Sequence, residues 1–362
     1  MAPAVAPDGG PGPADDGAAE RVPAHVPDRL IVEMHPACAQ HDTGGHHPER
    51  ASRLSAVRAG LEDSLVSGAG VLVTPRDATR DEVLRVHDAA TVDAIEAFCL
   101  AGGGHIDADT TVSSGSWSAA LAAAGAGLDA VERLRAGEAS AAFVAVRPPG
   151  HHATPDQAMG FCLLNNVAIT AAALADAGER VLIVDFDAHH GNGTQDAFYE
   201  DPRVLYISLH QSPLYPGTGR LRETGAGAGL GTTVNLPLPA GATGDVYLAA
   251  LDEVIVPVAG RFGATWLIIS AGFDGHRADP LTDLGLTSGD FSELTSRLCS
   301  LVPAGRRLAV LEGGYDLDAL AASTAACVAA LSGDRLHPEP VSSGGPGREV
   351  VAAARSIHVE RI

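Results

Sequence analysis

The chain has 362 residues, 46% of them hydrophobic and 19% charged, which excludes a disordered polymer and a disulfide-stapled mini-protein and leaves room for a large buried core. Every one of its 24 basic residues is an arginine, so Schiff-base chemistry and a Walker phosphate loop, both of which need a lysine amine, are excluded. A net charge of -21 opposes a polyanion over most of the surface, so nucleic acid is not an expected partner and a cationic substrate suits the field better.

Five cysteines (Cys38, Cys99, Cys162, Cys299, Cys327) are odd in number, far apart and without a CxxC pair, so neither a disulfide framework nor a thiolate zinc site is expected. No apolar stretch approaches the ~18 residues of a membrane span, and no basic, then apolar, signal opens the chain. A cytoplasmic protein without a membrane partner is the expectation. In chain order, residues 1–28 are rich in Ala, Pro, Gly and Asp without period and predict a disordered leader. Length alone allows about two domains, although α/β chains of this size often form one. Between 29 and 336, short β-branched runs alternate with alanine-rich segments, the pattern of a mostly parallel sheet covered on both faces. Strands are predicted at Leu30–Glu33, Val71–Thr74, Ala142–Val146, Val181–Phe186, Val204–Leu209, Thr233–Leu236, Thr265–Ser270 and Leu308–Glu312. Helices are predicted over 114–136, 162–178, 245–260, 288–302 and 316–332, with Asp245 as an N-cap and Gly333 as a stop. The run HPEPVSSGGPG at 337–347 then opens a flexible C-terminal tail, 337–362.

Four predicted strands run straight into polar, glycine-bearing segments: RPPGHH (147–152), DFDAHHGNG (185–193), AGFDGH (271–276) and EGGY (312–315). Ligands of an open parallel sheet bind beyond the carboxyl ends of its strands, so these exits should meet in space. Aspartates and histidines gathered there, in a chain without lysine, call for a divalent cation. The strand pleat sends Asp185 and Asp187 the same way, so Asp187 and His189 can share a metal with Asp185 one step behind, and Asp274 adds a third ligand. Two carboxylates and one imidazole leave an open position, the catalytic rather than the structural pattern for zinc, with iron(II) the other candidate. Each motif alone has a plainer reading as a loop or a satisfied core histidine, and Cys162 reads most simply as a small buried hydrophobe. The conjunction of four at strand exits is what carries the metal-site expectation.

These residues resemble the arginase/deacetylase fold, and within it the zinc-dependent histone deacetylases, closest to class II and the bacterial histone deacetylase-like and acetylpolyamine amidohydrolases. The matching runs are HDTGGHHPERASRL (41–54), DADTTVSSGSW (107–117), RPPGHHA (147–153), MGFCLLNNVAI (159–169), VDFDAHHGNGTQDAFY (184–199), SLHQSPLYPGTG (208–219), SAGFDGHRADPL (270–281) and LEGGYD (311–316). The resemblance implies a single three-layer α/β/α catalytic domain over 29–336 with about eight strands in its central sheet. It implies hydrolysis of the acetyl or acyl amide of acetyl-lysine or a related acetylated amine, with zinc held by Asp187, His189 and Asp274. By the same resemblance His152 is the general base and then acid, and His151 is its electrostatic partner held by Asp185. Asn192 stands where class I enzymes carry a second aspartate. Tyr315 donates to the substrate oxyanion, where nearly inactive class IIa vertebrate enzymes carry histidine. Substrate contacts are implied for Gly160, Phe161, Tyr215, Leu281, Asp109 and Gly313. Tyr215 replaces the phenylalanine of many members, and Leu281 stands where the vertebrate polyamine deacetylase has glutamate. Arg50 resembles the arginine of an internal channel for acetate exit. A potassium or sodium ion is implied at Asp185, Asp187, His189, Ser208 and Leu209, and a second near Phe198, Asp201 and Val204. Hydroxamate-type inhibitors and a homo-oligomer are further implications.

Two other readings stand beside this one. A binuclear ureohydrolase of the same fold needs a carboxylate after the DAH motif to hold a second metal, and Gly191 follows His189 and His190 here. A catalytically silent acyl-ligand-binding protein would keep the fold without needing His151, His152 and Tyr315.

Overall fold

The protein is described by a computed structural model that covers Met1, residues 29–66 and residues 68–360. The expected leader, Met1 apart, lies outside the described residues. The strands, in chain order, are β1 (Leu30–Glu33), β2 (Gly70–Val73), β3 (Gly103–His105), β4 (Thr111–Ser113), β5 (Ala141–Val144), β6 (Val181–Asp185), β7 (Val204–Gln211), β8 (Thr233–Leu238), β9 (Trp266–Ala271) and β10 (Arg307–Leu311). The helices are α1 (Ser52–Val66), α2 (Arg80–Val83), α3 (Ala89–Leu100), α4 (Ser116–Arg135), α5 (Asn166–Asp176), α6 (Asn192–Phe198), α7 (Gly244–Ala250), α8 (Val256–Phe262), α9 (Ser288–Cys299), α10 (Leu317–Leu331) and α11 (Arg348–His358).

Eight strands form one sheet in the order β2-β1-β5-β10-β9-β6-β7-β8, and every neighbouring pair is parallel. These are the eight strands predicted, within a residue or two at each end. Every position of β5, β6, β7 and β9 is buried, as expected of strands covered by helices on both sides, which is why they are written as unbroken apolar runs. The antiparallel hairpin of β3 and β4 went unpredicted. Its Gly103 and Gly104 have positive φ, and so short a glycine-bearing pair shows no alternation to detect.

Local chemistry explains the helix boundaries. Helix α5 begins at Asn166 rather than 162, because Asn165 is its cap and accepts from the Ala168 amide at 2.9 Å. Asp245 is not an N-cap: Thr243 holds that position, and Asp245 lies in the first turn of α7. The predicted helix over 245–260 runs from α7 through one π turn (Leu251–Ile255) into α8. Gly333 follows α10 with φ +89°, a left-handed stop. The tail expected at 337–362 is corrected by α11, whose Val351 and Ala354 belong to the main core. Its buried positions recur at helical spacing and lie against β8, α7 and the π turn, so burial of an apolar stripe orders a segment that follows a loop-like run. Among the described residues no helix is long and apolar enough to cross a membrane.

Candidate active site

The sheet order makes neighbours of β5, β10, β9 and β6, the strands whose exits carry the four polar segments. Residues more than 160 positions apart therefore meet: the Gly150 amide donates to Glu312 Oε2 at 2.7 Å. At this edge Asp187, His189 and Asp274 each offer a ligand atom, all within 4.8 Å of one another. His189 Nδ1 lies 3.2 Å from Asp187 Oδ1 and 2.9 Å from Asp274 Oδ2. Backbone donors orient the carboxylates: the Gly313 amide donates to Asp187 Oδ2 at 2.8 Å and the Ala188 amide to Asp274 Oδ1 at 2.8 Å.

The donor set fits a divalent metal. Both aspartates are buried, and among the described residues no arginine pairs with either. A Cβ on Gly313 would lie 2.3 Å from Asp274 Oδ2 and 2.6 Å from Asp187 Oδ2, so glycine keeps the space between the carboxylates open. Burial together with the charge of Asp187 pushes the Asp274 carboxyl up to about 7. Burial disfavours the His189 cation, yet Asp274 and Asp187 outweigh it and raise the imidazole to about 10. The point between these groups draws positive charge.

The tandem histidines stand beside it, ring centroids 4.1 Å apart, in opposite environments. His151 Nδ1 lies 3.0 Å from Asp185 Oδ2, which also accepts from the Tyr206 hydroxyl at 3.2 Å. Burial would lower His151, but Asp187 and Asp185 raise it to about 10. His152 Nδ1 instead donates to the amide oxygen of Asn192 at 2.8 Å, while Asn192 Nδ2 points to the His152 carbonyl. That pairing leaves the His152 Nε2 lone pair free. Burial, then the charges of His151 and His189, push His152 well below the ordinary histidine value. Two adjacent imidazoles driven in opposite directions form an acid/base-competent arrangement.

A cavity of about 220 Å³ adjoins these groups, lined by Asp109, His151, His152, Gly160, Phe161, His189, Tyr215, Leu281, Gly313 and Tyr315, of which Tyr215 and Leu281 are exposed. Phe161 and Gly160 are the central residues of a two-residue turn closed by Met159 and Cys162, both with positive φ (+68° and +56°). A phenylalanine in the left-handed region is uncommon and costly, and the turn presents its ring 5.8 Å from that of Tyr315. Gly160 is required for a second reason: a Cβ there would meet His152 Cδ2 at 2.5 Å. Tyr215 stands edge-on to His152 with centroids 5.1 Å apart. Tyr315 is partly buried, and its backbone amide donates to Asp279 Oδ2 at 2.7 Å. Burial, opposed by Arg53, pushes its phenol well above the ordinary value, so the hydroxyl keeps its proton.

Some predicted residues lie elsewhere. Arg50 lines a separate cavity of about 640 Å³ formed by 39–45, 50–52 and Leu317, and donates to the Gly45 carbonyl at 3.1 Å. Ser208 of β7 sits in register with Asp185 of β6, with Leu209 next to it. Phe198, Asp201 and Val204 surround the turn between α6 and β7, where the Phe198 carbonyl accepts from the Asp201 amide at 3.1 Å. Several partners of the site went unread in the sequence. Glu312 joins the Gly150 and His151 amides to Ser270, Tyr206 supports Asp185, and Glu49, Arg53 and Arg147 lie buried behind the site. The signal available for Glu312 was its place at a strand exit. Charged residues otherwise read as surface.

Comparison with known proteins agrees with this geometry. The family model of the histone deacetylase domain matches residues 47–331. The chain belongs to the histone deacetylase family. A probable deacetylase of Archaeoglobus fulgidus is 42% identical over 309 residues, covering 83% of this chain and 86% of the relative. Histone deacetylase 14, chloroplastic, of Arabidopsis thaliana is 37% identical over 368 residues, covering 91% of this chain and 85% of the relative. The crystal structure of the HDA15 HD domain superposes with a TM-score of 0.85 at 36% identity, over 92% of this chain and 95% of that one. The fold is therefore that of the histone deacetylases, and the coarse activity is deacetylation, the hydrolysis of an amide.

Proposed function

We propose that this deacetylase hydrolyses the acetyl or short acyl amide of acetyl-lysine, or of a closely related acetylated amine, with one zinc ion held by Asp187, His189 and Asp274. The carrying observation is that three ligand atoms lie within 4.8 Å of one another, and that one of their residues, His189, lines a cavity together with His151, His152 and Tyr315. Zinc bound there, or iron(II), supplies a Lewis acid for the acyl carbonyl and a lowered pKa for water. His152, with its free Nε2, takes a proton from the attacking water and returns it to the leaving nitrogen. His151, charged and held by Asp185, sits beside the forming oxyanion as a fixed positive neighbour. Tyr315, its hydroxyl protonated, donates to that oxygen. Water adds to the carbonyl carbon, the C–N bond breaks, and acetate and a free amine leave.

Phe161 and Tyr215 grip the alkyl chain from two sides, and the apolar Leu281 at the mouth favours an acyl-lysine over a free cationic amine. Asp109 faces the substrate backbone. Potassium or sodium at the carbonyls of Asp185, Asp187, His189, Ser208 and Leu209 would stiffen the segment that carries two zinc ligands. A second such ion belongs near Phe198, Asp201 and Val204, and Arg50 lies on the acetate path.

The test compares turnover of an acetyl-lysine peptide, N-acetylputrescine and N-acetylcadaverine, with metal content measured on the same sample. Faster turnover of the peptide with one zinc per chain is expected. Preference for the diamines would overturn the acyl-lysine assignment, and inertness after metal reconstitution would overturn the hydrolase.

A further inference from the structure

Residues 337–345 lie beyond the matched family domain, which ends at 331, and none of the roles above falls to them. The segment runs flush over the first turn of α9, where a Cβ on Gly289 would lie 2.3 Å from the Glu339 carbonyl oxygen. Thr287 Oγ1 donates to the Pro340 carbonyl at 2.8 Å, and the Ser342 amide and hydroxyl donate to Asp290 at 3.0 and 2.6 Å. The Gly345 amide donates to Thr243 Oγ1 at 2.8 Å. These contacts dock the segment on α9 and α7 without the Glu339 side chain. Docking alone therefore does not explain Glu339.

Its carboxylate crosses to the loop 272–287 between β9 and α9, which carries Asp274, Asp279 and Leu281. His276 on that loop is buried, and its Nδ1 accepts from the Ala278 amide at 3.1 Å. Nε2 therefore carries the proton. It donates to Glu339 Oε2 at 2.6 Å, a short hydrogen bond to a charged acceptor. The same oxygen accepts from the Ser288 amide and hydroxyl at 3.1 and 3.2 Å, so it ties the loop to the start of α9. Glu339 Oε1 also meets Arg277 Nη2 at 2.5 Å, but Arg277 is exposed and such a pair contributes little. His276 sits at the centre of the loop's own bonds. Its amide donates to the Phe273 carbonyl at 3.1 Å, its carbonyl accepts from the Asp279 amide at 2.8 Å, and the Arg277 amide donates to the Leu286 carbonyl at 2.8 Å. Thr282 Oγ1 donates to the Asp274 carbonyl. A displaced imidazole would thus carry Asp274 with it on one side and Asp279 on the other.

We propose that Glu339 is a positioning residue for the metal site: through His276 it fixes the loop that presents Asp274, and it does not itself line the cavity. This rests on the reading of Asp274 as a zinc ligand. The test, on the full chain, measures the zinc dissociation constant by competition with a chelating dye and amide hydrogen exchange over 272–287. Glu339→Ala should raise the dissociation constant about tenfold, as loss of support behind a ligand does, and should speed exchange over 272–287. His276→Asn keeps an acceptor for the Ala278 amide but is too short to reach Glu339. It should match Glu339→Ala, and the double variant should lose no more than either single one, because both break one link. His276→Asn also serves as the test variant if Glu339→Ala does not fold. Glu339→Gln, which keeps an acceptor for Nε2 and gives up only the Arg277 ion pair, should hold zinc nearly as the wild type does. Val351→Ala, a core truncation on α11, should lower the melting temperature and leave both readouts unchanged. Unaltered zinc affinity in Glu339→Ala, or an equal loss in Val351→Ala, would overturn the proposal. So would Glu339→Gln losing as much as Glu339→Ala, which would place the effect in the Arg277 pair. If the wild-type protein bound no zinc, the functional reading would fail, while exchange over 272–287 still decided whether Glu339 holds the loop.

Discussion

Tyr315 and Phe161 carry opposite kinds of constraint. In the proposed mechanism the Tyr315 hydroxyl has a chemical task, so Tyr315→Phe should lower kcat by ~10²–10³ while calorimetric affinity for an acylated peptide changes far less. Affinity and turnover falling together would point to a binding role. Phe161 has a geometric one: its backbone at φ +68° is tolerable for an unbranched residue and poor for a branched one. Phe161→Val should cost about 1–3 kcal/mol in denaturant unfolding. Phe161→Gly should cost less despite removing more apolar surface, and should raise KM by opening the cavity wall. The reverse order would refute the strained-turn account. Both residues were legible in the sequence as motif members at the site, because GFC and EGGY stand out. The left-handed backbone of Phe161 was not, since nothing local marks a non-glycine residue that its surroundings force into that region.

Among the helices, close approach rather than propensity sets what each glycine does. In α4, a Cβ on Gly125 would lie 2.1 Å from the Arg76 carbonyl and 2.4 Å from the Ala78 amide, so α4 lies directly against the loop before α2. Gly125→Ala should destabilise by more than about 1 kcal/mol, although the same change in open helix gains about that much. Gly260 in α8 is the control, because nothing lies within 4 Å of its would-be Cβ. Gly260→Ala should raise the melting temperature where Gly125→Ala lowers it, and a shared sign would mean that propensity alone governs both. The sheet strands were legible because burial on two faces leaves a run of β-branched residues with no alternation. Helix α11 was missed because its amphipathic stripe follows a Pro/Gly/Ser run that reads as the end of the fold.

At the scale of the whole molecule, metal binding at the proposed site and pH should couple to stability. Apposed Asp187 and Asp274 repel one another without a cation, so a chelator should lower the melting temperature and zinc should restore it, by ~2.7 kcal/mol at a hundredfold excess over Kd. A melting curve indifferent to zinc would count against the site. At the end of β1, Glu33 is fully buried, and among the described residues neither carboxylate oxygen has a hydrogen bond; Arg133 Nε lies 3.6 Å from Oε1, with Asp129 and Glu138 also facing the group. Burial, then the Asp129 charge, raises it from 4.5 to about 8. Folding therefore takes up a proton between those values, and this group's contribution falls as pH rises from about 4.5 through about 8. Glu33→Gln should flatten that part of the stability profile and gain relative to wild type above pH 8, read by denaturant titration at each pH. An unchanged slope would show that Glu33 is ionised at neutral pH.

What the amino-acid order dictated was the set of strands and the candidate metal donors. A strand covered on both faces must be apolar throughout, and a divalent cation without lysine competition needs carboxylate and imidazole at short spacing. Tertiary structure settled which strands became neighbours, bringing β5, β10, β9 and β6 together, and it buried Glu49, Arg53 and Arg147 behind the site. Contacts across 98 and 261 positions, Arg147 to Glu49 and Arg53 to Gly314, leave no periodicity along the chain. A charged side chain looks the same in sequence whether it meets water or a partner from a distant strand.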